Sequence, residues 1–266
     1  MIVFLVLLFL VLLYLYLIRP RFPRRDLNAF RSFLYAHRGL WNAEMPENSL
    51  PAFRAAVDHG YGIELDVQLT GDHQLAVIHD RDLMRMCGQQ ANIQRITLEE
   101  AKCYSLADTT ETIPSLEEVL AMVGGRTPLI IEIKSCPEIK LLCEKTACLL
   151  DHYPGLFCVE SFHPAAVAWF RKHRPDWIRG QLAFSPIGGK YPKKPMYWGL
   201  STLIQNVMGR PDFIAYDTET ENNVPFIVIR KLYHPWTAGW TISNQGEFER
   251  CREKYDLLIF ERFLPR

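Results

Sequence analysis

The sequence predicts an α/β fold. It reads as a closed (β/α)8 TIM barrel with an insertion after strand 2, preceded by one N-terminal transmembrane helix. Three observations predict it. Short runs rich in β-branched and aromatic residues recur at 33–37, 61–69, 129–134, 156–161, 178–184, 212–217, 237–242 and 256–261. Helix-like segments lie between most of them, at 49–59, 115–123, 137–151, 163–173, 197–208, 224–233 and 245–255. This alternation implies a parallel sheet, and 266 residues suit a closed barrel, which typically needs about 250. A doubly wound open sheet is the other arrangement of the same elements.

The chain opens with MIVFLVLLFLVLLYLYLI, residues 1–18, in which every side chain is apolar or Tyr. The whole chain is 48% hydrophobic, and without this segment the value falls to roughly 44%, ordinary for a globular domain. Charged residues make up 23%, which excludes a disordered chain and a polytopic membrane protein. As a helix the segment would be about 27 Å long, against a hydrocarbon core of about 30 Å. It lacks a basic start and a small-residue cleavage site, so an uncleaved anchor is expected rather than a signal peptide, with Tyr14 and Tyr16 at the interface. Residues 19–31 form a basic neck with five Arg and one Asp, and the net charge of the chain is +0. Residues 32–266 are therefore mildly acidic. The positive-inside rule places the barrel on the cytoplasmic side, with the neck near anionic headgroups. Basic character confined to the neck argues against a nucleic-acid surface. The 7 cysteines are odd in number and form no C-x-x-C, which suits reduced thiols.

The elements of the barrel follow in order. The first strand ends in Ala36-His37-Arg38-Gly39. Pro46-Glu47-Asn48-Ser49 follows, with Asn48 or Ser49 as N-cap of a helix that stops at Gly60. The second strand carries Glu64 and Asp66, two apart and so on one face. Such a pair repels unless a proton or a hard cation joins it. His73 to Ile78 reads as a hairpin extension, His79-Asp80 comes next, and residues 80–112 form a polar insertion. Ser115 and Glu118 make a capping box for a helix ending at Gly124. In Ile131-Glu132-Ile133-Lys134, Glu132 and Lys134 share a face. These groups lie at or near strand C-termini, where barrel active sites form. The loop from Ser185 to Gly199, with Lys190, Lys193, Lys194 and several aromatics, would lie at the mouth and touch headgroups or act as a lid.

Taken together, His37-Arg38-Gly39, Pro46-Glu47-Asn48-Ser49, Glu64-x-Asp66, His79-Asp80, Ile113-Pro114-Ser115 and Ile131-Glu132-Ile133-Lys134 resemble the glycerophosphodiester phosphodiesterase family. Ser161-Phe162 and Trp240-Thr241 look like its later motifs. The resemblance spans roughly residues 33–261 and is closest in the first half. It implies a metal-dependent TIM-barrel enzyme that cleaves glycerophosphodiesters, or lysophospholipid-like lipids, to an alcohol and glycerol 3-phosphate. It makes Glu64, Asp66 and Glu132 the ligands of one divalent cation, Mg²⁺ or Ca²⁺. His37 and His79 become the acid/base pair, Arg38 and Lys134 the phosphate contacts, and Trp240 a pocket wall. One departure stands out. The family's last strand usually ends in Thr-Asp followed shortly by Pro, whereas this chain reads Ile259-Phe260-Glu261-Arg262-Phe263, a position expected to support barrel closure or the pocket rim.

These residue types suit phosphodiester cleavage. A cation neutralises charge on phosphate, Arg presents a planar fork to two oxygens, and two histidines can move protons to and from the reacting oxygens. A phospholipase C- or D-type enzyme on intact lipid and a non-catalytic phosphate-binding barrel are the competing classes. Retention of both histidines argues against the latter.

Overall fold

A computed structural model describes residues 1–187, 191 and 194–266. Lys190 and Lys193 of the expected mouth loop lie outside the described residues. The strands are β1 (Leu34–His37), β2 (Gly62–Leu69), β3 (Leu75–Val77), β4 (Leu129–Ile133), β5 (Phe157–Ser161), β6 (Arg179–Ala183), β7 (Phe213–Asp217), β8 (Trp236–Ile242) and β9 (Leu257–Phe260). The helices are α1 (Ile2–Ile18), α2 (Asn28–Arg31), α3 (Leu50–Asp58), α4 (Met84–Cys87), α5 (Leu98–Lys102), α6 (Leu116–Val123), α7 (Ile139–Leu150), α8 (Pro164–His173), α9 (Pro195–Ser201), α10 (Asn206–Gly209), α11 (Val224–Tyr233) and α12 (Gln245–Cys251).

All strands but β3 are parallel and close into a barrel, because β1 pairs with both β2 and β9. The closed barrel is thus the arrangement found, not the open sheet. β3 folds back antiparallel on β2, as the hairpin reading expected. The insertion carries α4, a short 3-10 turn and α5, with its own small core of Leu83, Ile93, Ala101, Leu106 and Ile113. The capping box at Ser115 and Glu118 forms and Gly124 closes α6 with a left-handed φ, as read from sequence. Ser49, not Asn48, caps α3.

Two helices differ from expectation. The segment 197–208 breaks into α9 and α10 because Leu203 takes a left-handed φ of 60° between them. The last expected helix stops at Cys251, and buried Tyr255 sits in the turn that follows.

The N-terminal helix is α1, of 17 residues. Among the described residues, no helix is long and apolar enough to cross a membrane. Residues 1–13 are exposed, whereas Ile18 is fully buried. The carbonyls of the last turn of α1, which have no partner within a helix, are taken by the barrel. Tyr233 donates to Leu15, Arg210 to Tyr16 and Arg19, and Asn206 to Ile18.

Part of the neck packs on the barrel. Arg21 and Arg25 lie 3.6 Å and 3.8 Å from buried Asp212, and Arg24 stacks on Trp236. Leu27 and Phe30 are buried with Tyr35, Phe213 and Trp236. Residues 175–176, 211–212 and 234–236 all precede or begin strands, so the neck covers the N-terminal ends of the barrel strands, opposite the mouth.

Candidate active site

The C-terminal strand ends bring the expected residues together. Glu64, Asp66 and Glu132 present carboxylate oxygens within 4.8 Å of one another, and all three are buried. The period-2 rule puts Glu64 and Asp66 on one face of β2, and the register sets Asp66 beside Glu132 of β4. Lys134 Nζ lies 3.1 Å from Asp66 Oδ1 and 3.0 Å from Glu132 Oε1. Burial pushes Glu64 well above the usual carboxylate range, and Asp66, Glu132 and Glu160 push it further. Burial likewise raises Glu132, against the pull of Lys134. Burial opposes ionisation of Asp66 too, but Lys134, His79 and Arg38 together hold it well below the ordinary value. Clustered buried carboxylates of this kind need a counter-charge. The all-oxygen donor set fits a hard divalent cation, Mg²⁺ or Ca²⁺, alike.

The chain between β1 and α3 is shaped to hold Arg38 over this cluster. Arg38 takes a φ of 58° and Gly39 a φ of 85°. A Cβ on Gly39 would come within 2.9 Å of Ala52. The Arg38 backbone N–H donates to Glu64 at 3.1 Å, and its guanidinium Nη1 donates to Glu47 at 2.7 Å. Its Nε lies 3.3 Å from Asp66. Asn48 Nδ2 donates to Asp66 at 2.9 Å. Glu47 also accepts two bonds from Arg85 of the insertion. The Pro46-Glu47-Asn48-Ser49 motif therefore orients Arg38 and Asp66, a role not read from sequence.

Each histidine is fixed by a carboxylate. His37 Nδ1 lies 2.7 Å from Glu261, and its Nε2 lies 3.9 Å from Glu64. His79 Nδ1 lies 2.7 Å from Asp80, which also binds Arg85. Glu261 thus meets His37 as well as standing at the rim. Burial works against its ionisation, but His37 outweighs this and holds it below the usual range. Burial, then Arg38, pushes His37 below the ordinary histidine value, against the pull of Glu261. His37 is then neutral at neutral pH, with Nδ1 donating and Nε2 free to accept a proton.

A cavity of about 210 Å³ joins these groups, lined by His37, Arg38, Glu64, His79, Glu132, Glu160, Trp240 and neighbouring apolar side chains. Trp240 lines the cavity and packs edge-on against Phe162 at 5.6 Å. Glu160, Glu261, Asp80 and Asn48 are the site residues to which sequence reasoning gave no part in the chemistry. The alternation of β5 could have marked Glu160, since it is one residue before Ser161-Phe162 and faces inward.

Comparison with known proteins fits this geometry. The family model for the glycerophosphoryl diester phosphodiesterase family matches residues 37–185. The chain belongs to the glycerophosphoryl diester phosphodiesterase family. A glycerophosphodiester phosphodiesterase of Bacillus altitudinis is 38% identical over 154 residues, covering 53% of this chain and 62% of that protein. An uncharacterized Mycoplasma genitalium protein is 34% identical over 235 residues, covering 83% of this chain and 90% of its own. An Oleispira antarctica phosphodiesterase, solved in complex with the product sn-glycerol-3-phosphate, shares the fold with a TM-score of 0.70 at 20% identity, covering 86% of this chain and 92% of that one.

Proposed function

We propose that this protein hydrolyses glycerophosphodiesters to an alcohol and glycerol 3-phosphate, aided by one divalent cation. The observation that carries the reading is the pair of carboxylate-fixed histidines that line one cavity with the group of converging carboxylates. In this reading Glu64, Asp66 and Glu132 hold the cation, which when bound neutralises charge building on the phosphate. Arg38 binds phosphate oxygens with the part of its fork not used by Glu47. His37, neutral with Nε2 free, accepts the nucleophile's proton, and Glu261 stabilises the imidazolium that results. His79, held by Asp80, protonates the leaving alkoxide. Lys134 keeps Asp66 ionised and adds positive charge beside the phosphate. The test is a product assay on glycerophosphocholine with and without chelator. Release of choline and glycerol 3-phosphate that stops with chelator supports the reading, and inactivity with saturating Mg²⁺ and Ca²⁺ refutes it.

A lysophospholipid is favoured as a second substrate by a separate groove of about 770 Å³. Leu40, Trp41, Met45, Met86 and Phe263 line it, and it shares Glu47 and Arg85 with the network that orients Arg38. An acyl chain would bury apolar surface there. Met45→Asp should then lower kcat/KM on lysophosphatidylcholine but not on glycerophosphocholine; equal effects on both would refute the assignment.

Membrane attachment through α1 is part of the same proposal, with the barrel on the cytoplasmic side. Once its last turn is fixed on the barrel, α1 leaves 13 apolar exposed residues, about 20 Å of helix, for lipid. Flotation with phosphatidylglycerol-containing vesicles should carry the full chain upward, and a chain that stays at the bottom of the gradient refutes it.

A further inference from the structure

We propose that Glu160 reads a hydroxyl group of the substrate's glycerol moiety. The proposal rests on the hydrolytic reading above and names a residue that reading does not use. Glu160 sits on β5, where its Cα pairs with that of Glu132 on β4. Its side chain lines the catalytic cavity, yet it is outside the group of three carboxylates whose oxygens converge within 4.8 Å. It is 2% exposed, and its Oε2 has no hydrogen-bond partner.

The cations nearest the cavity are already engaged. Arg38 is bound to Glu47 and close to Asp66, and Lys134 is held between Asp66 and Glu132. A buried acceptor without a donor costs folding free energy, so its retention in a cavity asks for a ligand that supplies the donor. A phosphodiester group cannot do so, because it carries no O–H or N–H to donate. The phosphate therefore lies toward Arg38 on the β1 side. The donor at Glu160 comes from the part of the ligand beyond it. On this side Trp240 and Phe162 stack edge to face and enclose the cavity, which suits a moiety of fixed, small size with an apolar carbon face. A glycerol unit has both features, with O–H groups that donate to the carboxylate and C–H groups that meet the rings. The leaving alcohol, which differs between glycerophosphodiesters, is then directed outward to the groove.

The experiment compares ligands that differ by one hydroxyl. The full chain with saturating Mg²⁺ is titrated calorimetrically with sn-glycerol 3-phosphate, propane-1,3-diol phosphate and propane-1,2-diol phosphate. Leaving this buried acceptor unpaired implies that one of the analogues binds about 10- to 100-fold more weakly to the wild type. That penalty should shrink in Glu160→Gln, which keeps a neutral acceptor, and vanish in Glu160→Leu, which keeps the bulk but no acceptor. Mn²⁺ affinity, read by electron paramagnetic resonance, should change by less than about 3-fold in Glu160→Gln, since Glu160 is not among the three converging carboxylates. An unchanged penalty in all three proteins overturns the proposal, as does a tenfold loss of Mn²⁺ affinity, which would make Glu160 a ligand of the cation. Wild-type binding of sn-glycerol 3-phosphate with no discrimination between analogues overturns this inference alone. Failure to bind sn-glycerol 3-phosphate at all overturns the hydrolytic reading with it.

Discussion

Glu261→Gln isolates the charge that the last strand places on His37. The carboxylate lies 2.7 Å from Nδ1, with Glu261 19% exposed and His37 16% exposed. Gln keeps a carbonyl oxygen that can accept from Nδ1–H, so the ring orientation survives while the negative charge is lost. A hydrogen bond to a charged partner contributes about 1.5–3 kcal/mol, and the part specific to the imidazolium is felt as the proton arrives at Nε2. At about 1.4 kcal/mol per factor of ten, kcat should fall by roughly 10- to 100-fold with KM little changed. The pH profile supplies the sign. His37 must be neutral to accept a proton, so the rate falls as pH falls through its pKa. Glu261 raises that pKa against burial and Arg38, so its neutralisation lowers the pKa further and moves the acid limb of kcat to lower pH. The assay is kcat against pH on glycerophosphocholine with saturating cation. An acid limb that stays in place or moves upward would refute the assignment of His37 as base, and near-normal kcat would refute the role of Glu261.

Three more outcomes are expected. His37→Ala and His79→Ala should each lower kcat by about 10²-fold or more in single-turnover assays, because each removes one proton-transfer group; a variant with near-normal turnover has no acid/base role. Arg38→Lys should raise KM and lower kcat together, since Lys cannot span Glu47 and phosphate with one planar fork; unchanged kinetics would show that Arg38 only braces the loop. Mg²⁺ or Ca²⁺ at about 100 times Kd should stabilise the fold by about 2.7 kcal/mol at pH 7.5, read as a rise in Tm. Glu64 and Glu132 have raised pKa values in the fold, so the cation-free protein binds more protons than the unfolded chain and loses stability as pH rises. The gain in Tm should therefore shrink toward pH 5, where protons occupy the carboxylates instead, and a gain independent of pH would argue that these groups are not the ligands.

Much of this was legible in the sequence, for identifiable reasons. Strands such as β2 and β4 are short apolar runs bounded by turns, and their period of two fixes which carboxylates share a face. The partners of those carboxylates were harder to see. Glu261 meets His37 across 224 positions of chain because β1 closes on β9, and closure is a property of the whole barrel. The alternation of β5 could mark Glu160 as inward-facing, but its place beside Glu132 comes from the register of β5 on β4. Arg21 and Arg25 of the neck meet buried Asp212, which lies far along the sequence, so no local pattern showed that pairing. The break between α9 and α10 has neither Gly nor Pro at the left-handed residue, Leu203, so no turn signal marked it.

The two ends of the barrel hold buried charge in opposite ways, and this bears on how substrate enters. At the N-terminal end, Asp212 is surrounded by Arg179, Arg21 and Arg25, so the protein supplies the full counter-charge itself. At the mouth, Glu64, Asp66, Glu132 and Glu160 outnumber Arg38 and Lys134. Burial and mutual repulsion raise Glu64, Glu132 and Glu160, so without a counter-charge the mouth holds protons on these carboxyls. A divalent cation would displace those protons and supply the counter-charge, as Arg179, Arg21 and Arg25 do at the other end. On the proposed hydrolytic reading, a phosphodiester would then be expected to bind more tightly after the cation than before it.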